Sequence, residues 1–353
     1  MYLPLDLCKQ MDIRLIPDSN SWKKVLLRAA SEAEDVLAFL WDPECPVLSK
    51  DYSGQFQYIN NALIAKRKTI YSAMGIDDYE KVVKDKEQDK AFSQESISLF
   101  MMTDLWSRHK EVYRFDAELE LALTDSEKIE LPIRVLDRMP YNTFYIEFAE
   151  DGIFSRNFHG AFVSVVKNGT GYTIVAQRLK SDHKSMFGSC CLVPSENCKD
   201  AVFVFDRNSA TSSNIDRNKD WNEFAFFLIN ALLYLCALNS EINENDGTKS
   251  TYRPTGKIKN KYSEVRKWDC GFRYGETVRL QQKSIKKESE NQEIKKISET
   301  KERHLPCVHT RKAHWHHYWT GKGRTELILK WIAPTVVGGS KVDVAVIHKM
   351  KES

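Results

Sequence analysis

The chain has no Cys-x-x-Cys pair, which excludes a zinc ribbon built on paired thiolates. Its eight cysteines are scattered, and the adjacent Cys190 and Cys191 make a poor disulfide, so reduced and mostly buried thiols in a cytoplasmic protein are expected. There is no Gly-x-Ser-x-Gly elbow, P-loop, His-Glu-x-x-His helix or glycine-rich dinucleotide fingerprint. The usual signatures of a hydrolase, a nucleotide-binding enzyme and a zinc protease are therefore missing. No basic region followed by an apolar run opens the chain, so no signal peptide is expected. Without secretion, the sequon Asn168-Gly169-Thr170 is only a turn. The longest apolar run, Phe224 to Leu238, is broken by Asn230 and falls short of the roughly 20 residues a bilayer span needs. It reads as a buried helix, and no membrane partner is expected. No repeat of 20–50 residues is visible. A net charge of +3 is too small to mark a nucleic-acid binder by itself.

What remains is a soluble globular composition, 42% hydrophobic and 29% charged, long enough for one large or two ordinary domains. The first third reads as helical. Trp22, Val25, Leu26, Ala29, Ala33, Val36, Leu37 and Leu40 recur at helical spacing after cap candidates at 18–21 and before Pro43. A second helix is expected from about Gln57 to Gly75 and a third near Ser93–Ser107. Shorter ones are expected at Ala117–Leu123 and Pro132–Asp137. The period then changes. Thr143–Phe148 alternates as a strand, and Ala161–Val166 and Tyr172–Gln177 flank Asn168-Gly169, a strong hairpin signal. Ala201–Phe205 is a fourth strand, and a long helix follows over Trp221–Leu238. Residues 240–265 read as a polar loop. Arg279 to Arg303 carries eight Lys/Arg and five Glu, which reads as a solvated helix face or extension. Strands at Thr325–Ile332 and Val342–His348 close the chain.

The expected fold is therefore α+β: a helical N-terminal region over 1–110, then an α+β region over 111–353. The latter combines an antiparallel strand meander, a buried helix and C-terminal strands, with a polar and Lys-rich insertion around 240–303.

Six of the nine histidines fall after residue 303. Cys307, His309, Arg311, Lys312, His314, Trp315, His316, His317, Tyr318 and Trp319 form a segment too polar for a core and too aromatic for a solvated loop. On a strand, His314 and His316 would share a face, and Cys307 and His309 could complete a metal set by type. No acidic residue lies between Glu302 and Glu326, however, and hydrogen-bonding histidines without a metal are the favoured reading. Arg311, Lys312, Lys322 and Arg324 around the aromatics would suit stacking on RNA bases with phosphate contacts. Aromatic slots and Arg forks equally suit an extended peptide. His159 reads as a satisfied strand histidine rather than the partner of a nucleophile.

The block His309-x-Arg311-x-Ala313-His314-Trp315-His316-x-Tyr318-Trp319-x-Gly321, running into Leu327-Ile328-Leu329-Lys330-Trp331-Ile332-x-Pro334, resembles the C-terminal signature of one family. That family is the type V-A anti-CRISPR proteins that shut down production of the CRISPR effector nuclease. Weaker elements agree in order: Tyr113-Arg114-Phe115-Asp116, Leu131-Pro132 through Met139-Pro140, Tyr145-Ile146-Glu147, Phe158-His159-Gly160, Leu233–Cys236 and Trp268-x-x-Gly271-x-Arg273-x-Gly275-x-x-x-Arg279. The Lys-rich stretch 279–303 looks like an insertion relative to most relatives.

The resemblance implies a cytoplasmic, non-enzymatic inhibitor carried by phages or other mobile elements to evade host defence, without cofactor or metal. Its partner would be the nascent N-terminal polypeptide of the effector, with the ribosome or mRNA as further contacts, and its effect would be loss of the effector's mRNA. Arg273, Arg279, His309, Arg311, His314, Trp315, His316, His317, Tyr318 and Trp319 would line one binding site. The alternative is an RNA-binding protein or ribonuclease that uses His314, His316 or His317 as acid and base on the message.

Overall fold

The computed structural model describes residues 2–11, 33–35, 37, 86–125, 128–168, 171–181, 185–186, 202–206, 219–244, 265–295 and 309–337. Its helices are α1 (Leu3–Met11), α2 (Lys86–His109), α3 (Ala117–Thr124), α4 (Lys219–Cys236) and α5 (Phe272–Lys295). A 3-10 helix spans Ile133–Arg138. The strands are β1 (Glu111–Phe115), β2 (Lys128–Pro132), β3 (Thr143–Glu147), β4 (Phe158–Asn168), β5 (Gly171–Lys180), β6 (Ser185–Met186), β7 (Val202–Asp206), β8 (Ile242–Glu244), β9 (Arg266–Cys270), β10 (His309–Arg311), β11 (His314–Thr320), β12 (Glu326–Ile332) and β13 (Thr335–Val337).

The α+β class holds, but the sheet is not a plain antiparallel meander. Seven strands lie in the order β6-β5-β4-β3-β1-β9-β8. The interior strand β1 runs parallel to both β3 and β9, and the other pairs are antiparallel. The strand expected at 201–205 pairs instead with β2 in a separate two-stranded sheet. The stretch 240–303 is not a uniform insertion. Its residues 266–270 form an interior strand and 272–295 a helix. Strand β9 is held in place by bonds to β1 and β8 on its two sides rather than by an apolar run of its own. The helices expected at 18–40 and 57–75 lie outside the described residues, except that Ala33 and Leu37 are buried. The strand expected at 342–348 also lies outside them.

Strands covered on both faces must be apolar throughout. Phe144, Tyr145 and Ile146 of β3 are all buried. Trp106 of α2 packs against Tyr145 and edge-on to Phe162 on one face, so α2 shares its core with the sheet. On the other face Phe115, Phe148 and Phe154 meet Phe224 and Phe227 of α4. Helix α4 is buried on every side from Phe224 to Cys236, as a helix apolar all round should be. Burial pushes the Cys236 thiol up to about 12, so it is an inert core group. Among the described residues no helix is long and apolar enough to cross a membrane.

Candidate functional site: a basic, histidine-bearing hairpin

The C-terminal segment forms one long antiparallel ribbon. Strand β10 pairs with β13 and β11 with β12, and the same register continues across the break at Lys312-Ala313 and Ala333-Pro334. At its tip Gly321 and Gly323 have φ of 80° and 82°, a left-handed conformation that suits glycine.

Alternation divides the ribbon into two faces. Leu327, Leu329 and Trp331 are buried on the inner face, and Trp315 and Trp319, their cross-strand partners, pack beside the core. Asn230, the polar break in the apolar α4 sequence, explains the anchoring. Its Nδ2 donates to the Phe226 carbonyl, and its Oδ1 accepts the Trp315 indole N–H at 2.7 Å. Trp331 lies edge-on to Tyr234 and Tyr274. The outer edge of β12 is sealed by the end of α4. The Leu238 N–H donates to the Leu329 carbonyl, and the Asn239 amide both accepts from the Trp331 N–H and donates to its carbonyl.

The outer face carries His314, His316 and Tyr318, opposite Ile332, Lys330 and Ile328. The His314 and His316 rings are 6.0 Å apart, and the Lys330 ammonium lies 5.8 Å from the Tyr318 ring. His314, His316, His317, Tyr318 and Arg311 are exposed; Lys322 and Arg324 extend the positive charge to the tip. Lys312 pairs with Asp125 at 3.7 Å. Of the expected site residues, then, His314, His316, His317, Tyr318 and Arg311 face solvent, whereas Trp315 and Trp319 are anchors. The backbone of His309 pairs with Val337. Lys330 was missed by inspection of the histidine block, although strict alternation along β12 places it beside His316. Among the described residues no three His, Cys, Asp or Glu side chains are grouped to hold a metal ion.

The Gly-x-Arg-x-Gly element has a different job. Gly271, with φ of 71°, and Gly275 leave room for α3. A Cβ on Gly271 would lie 2.3 Å from Leu119 Cδ2, and one on Gly275 would lie 1.8 Å from Asp116 Oδ1. Asp116 caps α3 by accepting from the Glu118 N–H. One turn beyond Gly275, Arg279 donates to both Asp116 oxygens at 2.9 Å, so its fork is occupied. The hydrogen bonds it donates to Asp116 hold the Arg279 guanidinium above its ordinary range. Glu241 takes the exposed amides at the start of α5, accepting from Arg273 N–H at 3.0 Å and from Tyr274 N–H at 3.4 Å. The Arg273 guanidinium lies 3.8 Å from the same carboxylate and is mostly solvent-exposed. This element meets the histidine hairpin through Tyr274 and Trp331.

Gly275→Ala should destabilise the fold by about 2–3 kcal/mol, because the added methyl must expel Asp116 from its cap and from Arg279. An unstrained Gly-to-Ala change inside a helix would instead stabilise by up to ~1 kcal/mol, so the sign of the change in urea midpoint decides the point.

A second polar cluster lies at the end of β3. The Tyr2 hydroxyl donates to Glu147, and the Lys267 ammonium approaches the same carboxylate at 2.9 Å and the Tyr2 ring at 4.7 Å. Burial pushes Glu147 up, but the bonds from Tyr2 and Lys267 outweigh it and hold the carboxyl below its ordinary value. His159, set in a β-bulge, shares a 2.8 Å hydrogen bond with the Tyr145 hydroxyl. The cluster satisfies itself and pins the start of α1 to the sheet.

The fold and this face define an α+β protein that displays a cationic, histidine-bearing ribbon on a rigid core. Residues 113–339 match the AcrVA2-like family, the anti-CRISPR type V subtype A2 family, and the chain belongs to it. The crystal structure of AcrVA2 aligns over 89% of this chain and 99% of its own length, at 14% identity and a TM-score of 0.43. None of the curated proteins matches the chain.

Proposed function

We propose that this member of the anti-CRISPR type V subtype A2 family is a cytoplasmic, non-enzymatic recognition protein. It reads the nascent N-terminal polypeptide of the type V-A effector nuclease, and reading it triggers loss of the effector's mRNA. The observation that supports this best is the outer face of the β11–β12 hairpin. His314, His316 and Tyr318 stand together in solvent with the half-buried Lys330 beside them, while Trp315 and Asn230 fix the strand beneath. Such a surface offers ring faces, donors and positive charge on a frame that needs no ordering before it binds.

A second reading rests on the adjacency of the His314 and His316 rings. Two exposed imidazoles on one strand could act as acid and base on an RNA 2′-hydroxyl. The two readings separate on paired reporters. A peptide reader should repress a message whose first codons are synonymously recoded and should lose repression when the same codons are frameshifted. The opposite pattern, together with cleavage of naked message by the pure protein, would establish the ribonuclease.

A further inference from the structure

The two edges of the C-terminal hairpin differ, and the difference has a chemical meaning. On β12 the outward-pointing backbone groups belong to Leu329 and Trp331, and they are taken by Leu238 and Asn239. In a strand the N–H and C=O of one residue point to the same side, and successive residues point to opposite sides. Leu327, Leu329 and Trp331 therefore turn their backbone groups away from β11. Their cross-strand partners Trp319, His317 and Trp315 must turn theirs away from β12. Along β11 that leaves three N–H and C=O sets in phase on the far edge, and no backbone partner meets them among the described residues.

Proteins blunt such an edge with bulges, proline, charged side chains or a covering segment, and among the described residues one edge is covered and the other is not. The charged side chains of the ribbon are mostly of one sign. Between residues 309 and 337 there are five Lys/Arg, at 311, 312, 322, 324 and 330, and one acidic residue, Glu326. A basic strand would be repelled there and an acidic one drawn in.

We infer that the free edge of β11 is a strand-addition site for an extended peptide with carboxylate side chains at alternate positions, bonded through the backbone of Trp315, His317 and Trp319. The inference rests on the peptide reading above and gives it a mode. Main-chain bonds supply affinity, and one row of the incoming side chains lies beside His314, His316 and Tyr318, which supply selectivity.

The test is residue-resolved amide exchange of the full chain with two probes. One is a synthetic peptide copying the effector's N-terminal segment; the other is an alternating Glu-Val peptide with no relation to it. Strand addition predicts that exchange at Trp315, His317 and Trp319 slows roughly tenfold on binding. Protection at these amides by Glu-Val alone keeps the edge site and removes the effector reading. Effector-peptide binding that protects other amides keeps the reading and overturns the edge site. Binding of neither probe overturns both. Protection that grows with protein concentration and needs no peptide would mean that the edge pairs with a second copy, and it also overturns the proposal.

A variant supplies the orthogonal arm. Of the backbone groups, His317→Pro removes only an edge-facing N–H, at a position where a strand tolerates proline, so the β11–β12 ladder should survive. It should bind the protecting peptide roughly tenfold more weakly than His317→Ala, which removes the side chain but keeps the donor. Equal binding by the two variants would overturn the inference. Should His317→Pro fail to fold, the exchange experiment on the unaltered chain still decides.

Discussion

Gly160→Ala should leave little folded protein. A Cβ at this position would lie 2.1 Å from the Ile146 carbonyl oxygen and 2.5 Å from the Tyr145 hydroxyl. The first is backbone of the neighbouring strand, where Gly160 pairs with Glu147, and cannot move without shearing the β3–β4 ladder. The second belongs to a fully buried tyrosine already bonded to His159. Neither neighbour is the loose end of a flexible side chain. We expect a loss of more than about 4 kcal/mol, in the range reserved for substitutions that break a core. Soluble yield and the thermal transition measure it, and a cooperative melt within a few degrees of the unaltered protein would refute it.

Glu120→Gln should change how stability depends on pH. Glu120 is fully buried. Its Oε1 accepts from the Ala149 N–H, and its Oε2, which faces Gly152, meets no donor at full hydrogen-bond geometry among the described residues, the Ile153 backbone amide adding a weak pull on the carboxyl. Burial, opposed by the Ala149 bond and reinforced by Asp151, pushes its pKa up to about 8. The folded protein therefore holds this proton more tightly than the unfolded chain does. The stability from the protonated group is fully present below the unfolded value, near 4.5, and drains away as pH rises to about 8. The whole excursion is on the order of 5 kcal/mol at about 1.36 kcal/mol per unit. Gln keeps the shape and the accepting oxygen but cannot ionise. In urea unfolding, the variant should be no better than the original at pH 5 and more stable by a few kcal/mol at pH 9. Parallel pH profiles for the two proteins would rule out this role for Glu120.

Local patterns carried much of this fold. The periodicity near Ser93–Ser107 is α2, and Ala117–Leu123 is α3 almost to the residue. The all-round apolar stretch is α4, and the pair around Asn168-Gly169 is the β4–β5 hairpin. The ribbon was legible too, since a strand was expected over Thr325–Ile332 and a shared face for His314 and His316. What was not legible is non-local. Arg266-Lys-Trp-Asp-Cys270 does not alternate in polarity; it is a strand because neighbours bond it on both sides. The start of α5 contains two glycines and no side-chain cap of its own, and its capping carboxylate comes from Glu241. Arg279 looked free because Asp116 lies 163 residues away. The same blindness affected the aromatic block. Tryptophan in a polar segment can serve a ligand or a core, and only Asn230 reveals that Trp315 serves the core.

The position of β1 bears on the order in which the chain comes together. This strand lies inside the sheet, but one of its two neighbours, β9, lies 155 residues further along. Closing so long a loop inside the sheet is slow, and the rest of the sheet cannot substitute for it. Until residues 266–270 emerge from the ribosome, β1 carries a bare edge flanked by aromatic side chains, the kind of surface on which growing chains aggregate. The chain thus faces a bottleneck in its own synthesis, set by the strand that arrives last in its sheet.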